Sequence, residues 1–236
     1  MKILGLQKTT LLDYPGKIAS IVFTAGCNFR CPYCQNSELI TGEGCEIIPE
    51  EDVLSHLKKR AATLEGVVIT GGECTLQPDL YEFCQKVKAL DLSVKLDTNG
   101  RDSALVKKLI DDGLVDYVAM DIKNCKEKYA ETAGIHACQD ADKMLSEVYA
   151  TAEFLMQGKT DYEFRTTVVE EFFEDEDLHR IGRWIKGAKA YYLQPYRDSE
   201  NVLVKGFHTP KDEDMRRYRD IMQSYVENTQ IRGLDL

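Results

Sequence analysis

The feature that most constrains this chain is a recurring unit: a short β-branched, apolar run stops at glycine or a polar residue and gives way to a stretch with helical spacing. IASIVFT (18–24) leads to Gly26, VVIT (67–70) to Gly71 and Gly72, SVKLDT (93–98) to Asn99 and Gly100, and YVAMDI (117–122) to Lys123. EFRTTVV (163–169) and AYYLQP (190–195) continue the series. The intervening helical stretches are PEEDVLSHLKKRAA, PDLYEFCQKVKAL, SALVKKLIDDG and MLSEVYATAEFLMQG. Pro49 and Pro78 fall where a first helical turn tolerates proline, and Gly113 and Gly158 where helices end. Runs apolar along their whole length read as strands covered on both faces. Strands alternating with helices imply parallel βα units. Six such units predict an α/β chain built as a partial (β/α)6 barrel. An open doubly wound sheet shares the same periodicity. In both, chemistry belongs in the loops beyond the strands' C-terminal ends. With no linker or low-complexity tract, residues 1–236 are expected to form a single domain.

Composition narrows the partners. Asp and Glu outnumber Lys and Arg by 40 to 30, the net charge is -10, and no basic patch stands out. Such a chain repels a phosphate backbone, so no nucleic acid partner is expected. No apolar stretch is long enough for a signal peptide or a membrane span, which predicts a cytoplasmic protein without a membrane partner. Cysteines there stay reduced, so a cluster among the 8 present reads as metal-binding or catalytic before it reads as disulfides.

That cluster is Cys27-Asn-Phe-Arg-Cys31-Pro-Tyr-Cys34, a C-x3-C-x2-C run just past a strand end. Three thiolates in one loop suit a 4Fe-4S cube, which usually takes four, and leave one iron open to a chelating ligand. Three other readings share the residues, one of them a chance clustering of buried thiols. Cys31-Pro-Tyr-Cys34 is a glutaredoxin-type dithiol, although the Thr-Val-Pro loop of that family is absent and Cys27 would be idle. Structural zinc could recruit Cys45, His56 or Cys74. Cys45, Cys74, Cys84, Cys125 and Cys138 contain no second C-x2-C pair, so one cluster is expected, and Cys84 on a helical face reads as a small core residue.

The cysteine run, with the aromatic Tyr33 before its third member, resembles the radical S-adenosylmethionine (SAM) superfamily. Later strand ends extend the resemblance. Gly71-Gly72-Glu73 is similar to the motif that lines SAM's amino group in that family, where glycine lets an ammonium approach bare backbone. Proline usually follows that glutamate, whereas this chain has Cys74. Asp97-Thr98-Asn99-Gly100 and Met120-Asp121-Ile122-Lys123 resemble the corresponding segments of glycyl radical enzyme activating enzymes. The resemblance implies a monovalent cation held by Asp97 and Asp121 beside SAM's carboxylate, with Lys123 touching that carboxylate or the ribose. Arg165 matches an arginine that contacts SAM, although a salt bridge to Asp121 or Glu73 would equally satisfy it. Gln194 is a candidate for the adenosine end. The N-terminal stretch from Gly5 to Lys17 and the segment from Asp121 to Gly134 are closest to the longer form of the anaerobic ribonucleoside-triphosphate reductase activating protein.

The resemblance implies an oxidoreductase with one 4Fe-4S cluster and SAM as cofactors, in which no side chain need act as acid, base or nucleophile. It implies two protein partners: a glycyl radical enzyme as substrate and a reductant such as flavodoxin or ferredoxin. The alternatives are a pyruvate formate-lyase-like partner, a small-molecule enzyme such as a 7-carboxy-7-deazaguanine synthase, and a non-catalytic zinc or redox module.

Overall fold

The computed structural model describes residues 1–42, 44–135 and 140–233; Cys138 lies outside them. The elements run β1 (Ile3–Thr10), β2 (Ala19–Thr24), α1 (Ser37–Thr41), α2 (Glu50–Arg60), β3 (Gly66–Gly71), α3 (Leu80–Lys88), β4 (Ser93–Thr98), α4 (Ser103–Asp111) and β5 (Tyr117–Asp121). They continue α5 (Tyr129–Thr132), α6 (Ala141–Leu155), β6 (Asp161–Val168), α7 (Asp175–Trp184), β7 (Tyr191–Pro195), α8 (Asp212–Gln223) and β8 (Thr229–Ile231). The strands form one sheet in sequence order, β1 through β8. All six expected strands are present as β2 to β7. β1 and β8 extend the sheet at its two edges, and no described helix is long and apolar enough to cross a membrane.

Contacts divide the chain into two compact units. The first holds Met1–Asn28, Asn36–Ala119 and Lys159–Asp161; the second holds Phe29–Gln35, Met120–Gly158 and Tyr162–Leu236. In the first, β1 runs antiparallel to β2, with Leu6 opposite Val22 and Gln7 opposite Ile21. β2, β3 and β4 are parallel, so Ile21 lies beside Val68 and Val68 beside Lys95. Tyr14, Ala19, Ile21 and Val68 form a buried cluster, with Phe23 and Tyr117 packed against it. α3 and α4 bury Leu80, Phe83, Cys84 and Val87, and Val106, Leu109 and Ile110. Their apolar residues recur at helical spacing on one face, the pattern that drives helix onto sheet.

In the second unit β6, β7 and β8 are parallel, with Arg165 beside Tyr192 and Thr167 beside Gln194. Tyr129, Tyr149 and Trp184 pack edge to face, with the Tyr149 and Trp184 centroids 5.0 Å apart. Asp177 closes a capping box at the start of α7 by accepting from the Glu174 backbone N–H. Glu163 is fully buried and accepts both Arg232 guanidinium nitrogens at 2.6 and 2.7 Å, while that guanidinium lies 3.6 Å from the Tyr192 ring centroid.

Glu163 is fully buried while Arg232 is 34% exposed, so removing the cation leaves a buried carboxylate unsatisfied at a cost of about 1–3 kcal/mol, whereas replacing both can be nearly neutral. Arg232→Leu is therefore expected to lower the urea unfolding free energy by that amount. The double variant with Glu163→Leu should recover most of the loss.

Candidate active site

The glycine pair after β3 is fixed by close backbone approach. Gly71 has φ +133, and a Cβ there would lie 2.3 Å from the Thr24 backbone N and O. A Cβ on Gly72 would lie 2.1 Å from the Gly26 carbonyl oxygen and 3.3 Å from the Cys27 Cβ. Gly72 N donates to Thr24 O at 3.0 Å and Glu73 N to Gly26 O at 2.7 Å, so this turn is clamped to the segment leading into Cys27. No larger residue fits there without moving backbone.

Glu73 itself is turned into the protein. It is 1% exposed. Its Oε1 accepts from Thr75 N at 3.1 Å, Thr75 Oγ1 at 2.7 Å and Thr98 Oγ1 at 2.7 Å, and its Oε2 from Asn99 N at 2.7 Å. Burial raises its pKa, opposed by the donors from Asn99, Thr75 and Thr98. This carboxylate ties the ends of β3 and β4 together. Asn99 carries the connection on, donating from Nδ2 to the Asn28 Oδ1 at 2.8 Å, one residue after Cys27. The Cys74 thiol is fully buried and donates to the Asp97 carbonyl at 3.2 Å, which ties this turn to β4. Asp97 is ion-paired with Lys95, whose side chain is 2% exposed.

The rest of the cysteine loop, Phe29–Gln35, belongs to the second unit and is held from two sides. Arg30 N donates to Ala133 O at 3.0 Å, and Gly134, at φ +66, sits so close that a Cβ would lie 2.0 Å from the Arg30 carbonyl oxygen. From further along the chain, Val204 N donates to Pro32 O at 2.8 Å and Leu203 N to Cys34 O at 3.1 Å. Within the loop Cys34 N donates to Cys31 O at 3.0 Å. Cys31 is buried, which pushes its thiol pKa up, and Lys123 acts against that as a nearby cation. The Tyr33 ring packs against Phe172 at 6.0 Å, and its buried hydroxyl has no hydrogen-bond partner among the described residues.

Asp121 accepts from Lys123 Nζ and Arg165 Nε, both at 3.0 Å. Burial would raise its pKa, but Lys123 and Arg165 outweigh that and hold it at about 2. Lys123 is pushed up, since Asp121 and Cys31 outweigh the cost of burying an ammonium. The Arg165 pairing is thus one of the two partners the sequence offered. Gln194 lines a cavity of about 250 Å³ with Thr167, Gln35, Arg197 and Arg232.

Within the first unit the structure gathers Gly71, Gly72, Glu73, Asp97, Thr98, Asn99 and Cys27; within the second it gathers Cys31, Tyr33, Cys34, Asp121, Lys123 and Arg165. Among the described residues no three Cys, His, Asp or Glu side chains converge as a formed metal site. Each aspartate expected to hold a monovalent cation already carries protein cations. Asn28, Thr75, Lys95, Gly134, Leu203 and Val204 were not singled out by motif. Lys95 alone left a signal, a charged residue inside an apolar strand.

Comparison with known proteins places these features in a family context. The sequence pattern described as Radical SAM superfamily matches residues 21–146. A Methanocaldococcus jannaschii protein provisionally named a glycyl-radical enzyme activating enzyme is 29% identical over 234 residues, 98% of this chain and 95% of that one. A 7-carboxy-7-deazaguanine synthase of Neisseria meningitidis serogroup B is 31% identical over 125 residues, 53% of each chain. The crystal structure of a radical SAM methyltransferase from Sphaerobacter thermophilus superposes with a TM-score of 0.71 at 14% identity. It covers 95% of this chain and 68% of that one. The last likeness bears on the fold alone and supports the partial barrel expected from the sequence.

Glu73→Gln turns amide hydrogens toward donors and is expected to cost about 1–3 kcal/mol in unfolding free energy. An aspartate ordinarily titrates near 3.8, and Asp121 in the folded protein is held at about 2. A depressed carboxylate contributes stability that is complete above the unfolded value and lost as pH falls through the folded one. The stability advantage of the wild type over Asp121→Asn should therefore shrink on acidification from about pH 4 to about pH 2.

Proposed function

The chain belongs to the radical SAM superfamily, and from that premise we propose that this enzyme installs a glycyl radical on a partner enzyme. What carries the reading is the cysteine loop together with a relative of that provisional name aligned along almost its entire length.

The residues fit the cofactors. None of Cys27, Cys31 and Cys34 is in a disulfide, and their spacing limits the separation of neighbouring members whatever the loop conformation, because three or four residues of chain span no more than about 14 Å. The orphaned Tyr33 hydroxyl is a buried donor in want of an acceptor. In this reading the three thiolates hold one 4Fe-4S cluster. When bound, cluster and SAM together supply a one-electron reductive cleavage that yields methionine and a 5'-deoxyadenosyl radical able to take hydrogen from a glycine Cα.

The chain's own residues bind and orient. The bare backbone of Gly71 and Gly72 receives SAM's ammonium, and Glu73 acts behind them as a positioning residue, since its oxygens are engaged by Thr75, Thr98 and Asn99. Lys123 and Arg165 present cationic groups to the SAM carboxylate and ribose, with Asp121 fixing both. Tyr33, Asp97, Thr98, Asn99 and Gln194 complete the contacts. Residues 1–236 work as one catalytic domain, in the cytoplasm, taking electrons from a flavodoxin- or ferredoxin-type donor. The partner is an anaerobic ribonucleoside-triphosphate reductase, with a pyruvate formate-lyase-like enzyme as the alternative. The deazaguanine synthase matches favour a small-molecule substrate as a second reading, but one spans 53% and another 79% of this chain, against 98% for the activating-enzyme relative.

The test is anaerobic reconstitution with iron and sulfide, followed by SAM and dithionite. Wild type should be brown and release 5'-deoxyadenosine, and Cys31→Ala should release none. Colourless protein containing zinc would overturn the proposal. With a candidate partner, a glycyl radical signal should appear by electron paramagnetic resonance and vanish when the partner's radical-bearing glycine is replaced by alanine. A signal that survives that replacement would sink the partner assignment.

A further inference from the structure

We propose that Lys95 is a built-in counter-cation for Asp97, standing where a bound monovalent cation would otherwise be needed. This deepens the proposed function, since it concerns the surroundings of the SAM site.

Lys95 lies on β4 two residues before Asp97, so both side chains emerge on the same face of the strand. It sits beside Val68, which in turn sits beside Ile21, and both belong to the buried cluster with Tyr14. A position with such neighbours ordinarily holds valine or isoleucine. An ammonium at 2% exposure is costly to keep there unless it is paired, and its Nζ is paired with Asp97 Oδ1. The Tyr117 ring adds its face, with the ammonium 6.0 Å from the centroid.

An alkylammonium and a potassium ion carry the same charge and are of similar size. A metal ion sharing Asp97 with Lys95 would meet a like charge in a site with little water to screen it. Asp121 is in the same condition, bearing Lys123 and Arg165. Neither carboxylate, each already paired with protein cations within its own unit, fits a monovalent metal ion. The charge that such an ion would bring is already attached to the chain through the side chain of Lys95.

The test compares wild type and Lys95→Met in buffers whose cation is either potassium or tetramethylammonium, which is too large for a carboxylate site. Two readouts are taken: the thermal midpoint of the protein without SAM, and the dissociation constant of SAM for the reconstituted holoprotein. Wild type should show the same midpoint and the same affinity in both buffers. Lys95→Met, which keeps the chain length and loses the charge, should gain thermal stability in potassium. Its SAM binding should be about tenfold weaker in tetramethylammonium and recover in potassium, a rescue that lost packing would not show. A wild type that binds SAM several-fold tighter in potassium would overturn the proposal. A Lys95→Met variant indifferent to the cation would do the same, and if that variant does not fold, the wild-type arm decides alone. If wild type fails to bind SAM in either buffer, the proposed function fails, while the midpoint readout still judges the lysine.

Discussion

A carboxylate removed from water must be surrounded by donors, and Glu73 imposes that requirement on everything near it. Four donor groups converge on its two oxygens, from the turn after β3 and from the end of β4. One charge thereby fixes two strand ends. The same constraint reaches the cysteines, because Asn99, whose N–H is held by Glu73, uses its side chain to hold Asn28. Gly72 completes the arrangement from below, since its lack of a side chain lets the turn rest directly on Gly26. The motif usually described as a ligand cradle is in this chain first a piece of masonry.

The second unit solves a different problem. Phe29–Gln35 must present thiols while staying ordered, and it draws its order from distant segments. Ala133 and Gly134 press on Arg30, and Leu203 and Val204 hold Cys34 and Pro32. The segment from Asp121 to Gly134 is therefore double-purpose. Its first residues, Asp121 and Lys123, form a charge group with Arg165 of β6, and its last ones support the loop. Between them Asn124 bonds to Thr132 and to the Phe172 carbonyl, and Lys128 pairs with Asp177 at the start of α7.

β2, β3 and β5 were legible because burial on both faces leaves a nearly unbroken apolar run. β1 was not, since its apolar residues Ile3, Leu4 and Leu6 give way to exposed Gln7, Lys8 and Thr9, which makes neither an unbroken apolar run nor a strict alternation; β8 has three residues, too few for any period. The cysteine loop, the glycine pair and the aspartate-bearing strand ends were legible as chemistry. The direction of Glu73 was not, because the strand's in-and-out alternation stops at Gly71, whose φ of +133 lies outside strand geometry. The same holds for the supports of the loop. A backbone N–H of Leu203 or Val204 donates whatever the side chain is, so no residue type advertises it. Lys95 was visible but mute: the sequence shows a charge in a strand, and only the fold shows that Asp97 answers it.

Leu203 and Val204 also set an order of events in time. A ribosome releases Cys27, Cys31 and Cys34 early and the residues that hold Pro32 and Cys34 only much later, a gap on the order of ten seconds at ordinary rates of synthesis. Until then the three thiols sit on a loop that lacks first both of its supports and then, once Ala133 and Gly134 have emerged, one of them. Iron–sulfur delivery to such a chain is therefore a task for the finished protein, and a nascent chain exposed to oxidant passes through a window in which its most reactive residues have no shelter.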